Sequence, residues 1–164
     1  SPMIVPLIIT SAGMFFFYSK IGLTHTYLGL ILAHTALGTP FVVITVTATL
    51  TGFDTNLIRA SQSLGADTMR TFFKVIMPLI LPGVISGALF AFITSFDEVV
   101  VVMFVGSVEQ ITIPKQMWAG LRQETSPVIL CMATCLVALS IALLTTVELL
   151  RRRSERLRGI KLRN

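Results

Sequence analysis

Ile-Arg-Ala-Ser-Gln-Ser-Leu-Gly-Ala-Asp-Thr-Met-Arg-Thr-Phe-Phe-Lys-Val-Ile-Met-Pro-Leu-Ile-Leu-Pro-Gly, residues 58–83, is a polar, cation-bearing stretch set between apolar runs of membrane length. Its pattern predicts two short helices joined by a tight turn. Asp54 is placed as the N-cap of a helix over 55–64. Gly65 suits the left-handed position just past its end, and Asp67 or Thr68 can cap a second helix over 68–76. Pro78 and Pro82 mark entry to the next apolar run. On the first helix Arg59, Gln62 and Ser63 form the exposed side, available to a partner, while Leu57 and Leu64 are expected to bury the other. Phe72, Phe73, Ile76 and Leu79 recur at helical spacing and are expected to pack the second helix against a bundle.

Outward from this loop the chain is strongly apolar. Hydrophobic residues make up 54% of it and charged ones 13%, where soluble domains carry about a quarter charged residues. Mean hydropathy is +0.84. A soluble fold of this composition would lack the polar surface to cover itself. Four apolar runs stand out, 2–19, 27–50, 75–105 and 126–150, against the roughly 17–25 residues that a span requires. The third is too long for one straight span, so it is read as a helix over 77–101 followed by a re-entrant or loop segment. The first run lacks the flanks of a signal peptide. The fold class expected is therefore all-α: a polytopic bundle of about four membrane helices over residues 1–150, a loop over 54–76 and a basic tail over 151–164.

The cations orient it. The 51–74 loop holds Arg59, Arg70 and Lys74, and seven of the thirteen Lys and Arg residues follow Leu150. Basic residues concentrate on cytoplasmic loops, so the loop and the C-terminus are expected in the cytoplasm. The net charge of +5 then reads as topology anchoring and attraction to anionic membrane lipid, not as nucleic-acid binding. Glu148 is expected to pair with the cations at 151–153.

Within the spans, Phe15, Phe16, Phe17 and Tyr18 suit an interfacial aromatic belt, and Trp118 fits a short interfacial helix. Pro40 is expected to kink the second span, and the hydroxyls of Thr45, Thr47, Thr49 and Thr51 can satisfy backbone groups there. Gly83, Gly87 and Ala88 allow close helix approach. His34 reads as a packed polar residue, for want of an acidic neighbour in its span. Cys131 and Cys135, at i, i+4, read as small packing residues; two thiols are half a zinc site, and no metal is expected. There is no phosphate-cradling loop and no catalytic constellation, so the chain is not expected to be an enzyme or to hold a cofactor.

Asp97 and Glu98 are the remaining chemistry. Ionisable groups at membrane depth point to a pathway or substrate site, and carboxylates there would welcome a cationic solute. The alternative is that both lie past the outer end of the span and only cap or pair locally.

The loop resembles the EAA motif of binding-protein-dependent ABC transporter permeases: Arg59-Ala60-Ser61, then Gly65-Ala66, then Phe73, Ile76, Pro78 and Pro82. Pro40-Phe41-Val42-Val43, Gly52-Phe53-Asp54, the run from Ser95 to Val101, and Ile113-Pro114-Lys115-Gln116-Met117-Trp118 followed by Ser126-Pro127 are similar to the spermidine/putrescine-type branch. The resemblance implies a permease subunit of a bacterial inner-membrane importer. Its partners would be two ATP-binding subunits, a second permease subunit and a periplasmic substrate-binding protein. It also implies that Arg59, Ala60, Ser61, Gln62, Gly65 and Ala66 couple to the ATPase, that Asp97 and Glu98 line the path of a polyamine-like solute, and that ATP chemistry belongs to a partner. Two departures stand out. Arg59 occupies the position of the family's Glu, and Ser61 that of its second Ala. These permeases have six spans, with the loop joining fourth to fifth; on that count two N-terminal spans are expected to be missing here or supplied by another chain. A membrane channel, or a scaffold anchoring a cytoplasmic partner, is the competing class.

Overall fold

Apolar composition and helix-favouring sequence give a chain whose described residues are helical, with no strand among them. The computed structural model describes residues 4–123 and 127–157. It divides into two units, 1–111 and 112–164.

In the first unit, α1 (Leu7–Lys20) and α2 (Tyr27–Thr51) are joined by a short turn. A loop carrying α3 (Asn56–Ser63) and α4 (Thr68–Thr71) follows. A single π-helical turn at Phe72–Ile76 leads without a break into α5 (Met77–Phe96). A short α6 (Val100–Val105) closes the unit. The second unit holds α7 (Ile113–Gln123) and α8 (Pro127–Leu157). There Gly120 gives α7 the room to approach the Ile129 side chain of α8.

Three helical stretches are long and apolar enough to cross a membrane: Tyr27–Thr51 (25 residues), Thr68–Phe96 (29 residues) and Pro127–Thr145 (19 residues). At 1.5 Å per residue the first of these spans about 37 Å, against a hydrocarbon core of about 30 Å. The expected first span, 2–19, differs. Pro6 fixes the start of α1, which has only 14 residues, or about 21 Å. Helix α8 continues through 151–157, whose Arg, Leu and Glu residues are good helix formers. The side chains beyond 145, Glu148 and the 151–153 cations among them, lie outside the described residues, as do Ser126 and residues 158–164.

The third run resolves as the sequence suggested, a long helix and then a separate segment, but the break comes at Asp97. Val101, Val102 and Val105 of α6 are fully buried. They pack with Tyr18, Leu30, Ala33 and Leu37 into the core of the first unit. Tyr18 thus turns inward and leaves the aromatic belt to Phe16 and Phe17, which are exposed.

The main seam is α2 against α5. A Cβ on Gly38 would meet Ala91, one on Gly83 would meet the Thr49 hydroxyl, and one on Gly87 would meet Thr45 and then the Val42 backbone. The two helices therefore run antiparallel with backbones nearly touching, as small residues permit. Gly83 and Gly87 are buried there as expected, whereas Ala88 faces outward. Phe41 and Phe90 stack across the same seam at 6.4 Å. Thr45 and Thr49 are tolerated in it because their hydroxyls donate back to the carbonyls of Phe41 and Thr45, at 2.9 and 2.8 Å, which spares them unpaired burial.

Candidate functional site

The loop between α2 and α5 is built from its caps. The N-cap of α3 is Thr55, not Asp54 as expected, and its side chain makes no cap bond; Asp54 Oδ1 instead accepts from the Asn56 N–H at 2.9 Å in the turn leading into α3. At the other end Gly65 has φ +82°. Its N–H donates to Gln62 C=O, and the Ala66 N–H donates to Ser61 C=O. This 6→1 and 5→2 pair is the Schellman arrangement, which satisfies the last carbonyls of a helix and calls for glycine at its left-handed residue. Asp67 Oδ1 then accepts from Arg70 N–H at 2.8 Å and caps α4.

Of the six candidate coupling residues, Arg59, Ala60, Gln62 and Gly65 are exposed, and Ser61 and Ala66 are half-buried. Ser61 faces α4, where its Oγ lies 2.8 Å from the hydroxyl of the buried Thr71. Only Ile58 joins Ser61 in facing inward from α3. Leu57 and Leu64, expected to bury the helix, are instead 41% and 88% exposed. An eight-residue helix turns too few positions toward one neighbour to cover both leucines. Phe72, Phe73 and Leu79 are likewise outward-facing, because Thr71 takes the inner position. The loop thus presents an apolar and cationic surface. An open groove of about 500 Å³, lined by Gly65, Asp67, Met69, Arg70, Phe73 and Lys74, runs along it.

At the other end of α5 the acidic pair separates. Asp97 is the residue that ends α5 and is exposed. Glu98 is buried, 6% exposed, and its Oε1 accepts from Val101 N–H at 2.9 Å. Glu98 therefore caps the short helix α6, a local role. Replacing Glu98 with Ala is expected to cost about 1–2 kcal/mol through the lost cap, while Glu98→Gln keeps an acceptor and costs less. Chemical unfolding of the purified variants measures the difference.

The sequence missed a polar contact of His34. Its Nδ1 lies 2.9 Å from Ser95 Oγ, joining α2 to α5. A second unforeseen contact is His25, held at φ 60°. Its N–H donates to Val105 C=O, and its Nδ1 lies 3.1 Å from Gly106 O. It ties the α1–α2 turn to the end of α6. Cys131 and Cys135 are free and exposed on α8.

Residues 2–156 match the family of binding-protein-dependent transport system inner membrane components. Among curated relatives, the spermidine/putrescine transport system permease protein PotC of Haemophilus influenzae is 32% identical over 152 residues, covering 93% of this chain and 59% of the relative. PotC of Escherichia coli K12 is 30% identical, covering 92% and 57%. The putrescine transport system permease protein PotI of the same strain is 28% identical, covering 84% and 51%. The chain thus spans between half and three-fifths of the length of these relatives. With its membrane-length helices and the match along nearly all its length, the chain belongs to the family of inner-membrane permease components of binding-protein-dependent transport systems.

Proposed function

We propose that this chain is a translocating subunit of an ABC importer that carries a small cationic solute of the polyamine class, and that residues 54–76 couple it to a cytoplasmic ATPase. The observation that carries the reading is the loop itself. Two short helices, rigidly capped, hang between two membrane-length helices and expose Leu57, Leu64, Met69 and Phe73 beside Arg59, Arg70 and Lys74. Exposed apolar patches rimmed by polar groups are typical of binding surfaces. An ATPase subunit with a matching groove would cover the leucines, and closure of paired ATPases on ATP would move α3. Because the loop is continuous with α5, that motion reaches the seam with α2 and changes access to a path between subunits. The second permease subunit and the periplasmic binding protein complete the assembly. Arg59 stands where the resemblance expects an acid, so its counterpart on the ATPase is an acidic residue.

The polyamine class follows from the relatives' names and from the acidic end of α5, where exposed Asp97 is the carboxylate free to meet a cation. The test is to co-express the chain with its neighbouring transport genes, purify the assembly, and measure ATP hydrolysis with and without spermidine and putrescine. Stimulation by either supports the reading; an assembly without an ATPase, or hydrolysis indifferent to both, overturns it. Asp97→Asn is expected to reduce polyamine uptake at least about tenfold, the effect of roughly 1.4 kcal/mol, with no loss of folded protein, since Asp97 is exposed.

A further inference from the structure

We propose that Ser61 is a positioning residue for this coupling: through Thr71 it locks α3 to α4, so that a displacement of α3 reaches α5 as the movement of one body. The inference rests on the coupling role of the loop and adds the part that makes the loop stiff. Ser61 Oγ donates to Ile58 C=O at 2.9 Å. Its one proton is spent there, so the 2.8 Å contact with Thr71 is an O–H of Thr71 donating to Ser61. The result is a directed chain, Thr71 to Ser61 to the α3 backbone, in which each hydroxyl has one task. Thr71 is 2% exposed, and a bond shielded from water holds more firmly than an exposed one.

The position of the bond matters. The backbone bonds to Gln62 and Ser61 fix the end of α3, and the Asp67 cap fixes the start of α4. Neither set bridges the 66–67 link, where the chain could still swivel. The Ser61–Thr71 bond crosses that link, ten residues apart in sequence. Just beyond it the helix changes character. The Met77 N–H reaches back to Phe72 C=O, a π turn, and Pro78 follows with no N–H to give. Such turns are wider and occur often at functional sites. The give in the lever is thereby placed after the latch, at the mouth of α5, instead of within the loop. At the position of Ser61 the resemblance expects Ala, which has no hydroxyl to make this bond.

The test uses the assembly with Cys131 and Cys135 replaced by Ser and nitroxide labels at positions 56 and 68, which are exposed on α3 and α4 and lie outside the proposed docking surface. Ser61→Ala is expected to broaden the label-to-label distance distribution and to lower solute taken up per ATP hydrolysed about three- to tenfold, the order carried by one buried hydrogen bond. Thr71→Ala is expected to do the same, and the double variant no more than either single one. Ser61→Thr and Thr71→Ser keep the hydroxyls and are expected to restore both readings. An unchanged distribution in Ser61→Ala overturns the latch, and a broadened distribution with unchanged uptake per ATP overturns its positioning role. If the unaltered chain shows no solute-stimulated hydrolysis, the coupling reading fails whatever the loop does. The distance measurement reads the latch without ATP, so a failure of the latch is told apart from a failure of the coupling reading.

Discussion

Gly87→Leu is expected to abolish accumulation of folded, membrane-inserted protein, and Gly87→Ala to destabilise it measurably. A Cβ at Gly87 meets the Thr45 hydroxyl first and the Val42 Cα at 2.8 Å next. The hydroxyl can rotate or be removed, but the backbone of a packed helix cannot yield without moving α2. Forcing one extra methyl into such a seam costs about 1–3 kcal/mol, a large share of the 5–15 kcal/mol that typically holds a domain together. Leucine adds three further carbons in the same direction. Thr45→Ala in the Gly87→Ala background should recover part of the loss, and only part, because Val42 remains. Gly13 supplies the control. A Cβ there meets nothing within 4 Å, so Gly13→Ala should be neutral or should stabilise α1 by up to about 1 kcal/mol, the helix-propensity difference. Unfolding in detergent, with protease protection of the membrane fraction, measures all four variants. Equal behaviour of Gly87→Ala and Gly13→Ala would show that the seam does not depend on close approach.

The parts of this structure legible in the sequence are those written in short-range chemistry. Gly65 and Asp67 specify the turn of the loop within a few residues, and each sits where local rules place it; the start of α3 falls one residue later than expected, with Thr55 at its N-cap. Gly83 and Gly87 mark the seam because glycine four residues apart in an apolar run has few other uses. What the sequence hid has two physical causes. Helices that are apolar all round carry no periodic signal of which face is buried, so nothing separated Tyr18 from Phe17. The second cause is distance along the chain. The His34–Ser95 and His25–Gly106 contacts join residues 61 and 81 positions apart, and no local pattern announces them. The same holds for Ser61, which the resemblance places among the coupling residues and which the structure turns toward Thr71.

Gly65→Pro is expected to uncouple the loop while leaving the membrane helices in place. The position demands φ +82° and an N–H for the Gln62 carbonyl. Proline supplies neither, since its ring fixes φ near −65° and it has no N–H; the mismatch costs about 3 kcal/mol or more. By the scale of about 1.4 kcal/mol per decade, the native turn becomes roughly a hundredfold less populated. Losing it frees the end of α3, breaks the Ala66 bond to Ser61, and pulls Ser61 away from Thr71. Gly65→Ala is the graded companion. Its Cβ would meet nothing within 4 Å, so it pays only the left-handed strain of about 1–2 kcal/mol and should retain part of the activity. The Gly38, Gly83 and Gly87 contacts that hold α2 to α5 do not involve the turn, so insertion and the α2–α5 seam should survive both substitutions. The expected signature is a purified assembly in which ATP hydrolysis persists but no longer responds to solute, with uptake falling in the order wild type, Gly65→Ala, Gly65→Pro. If Gly65→Pro transported as well as wild type at equal abundance, the loop could not be the lever, because no α3 held at that angle would remain for an ATPase to push.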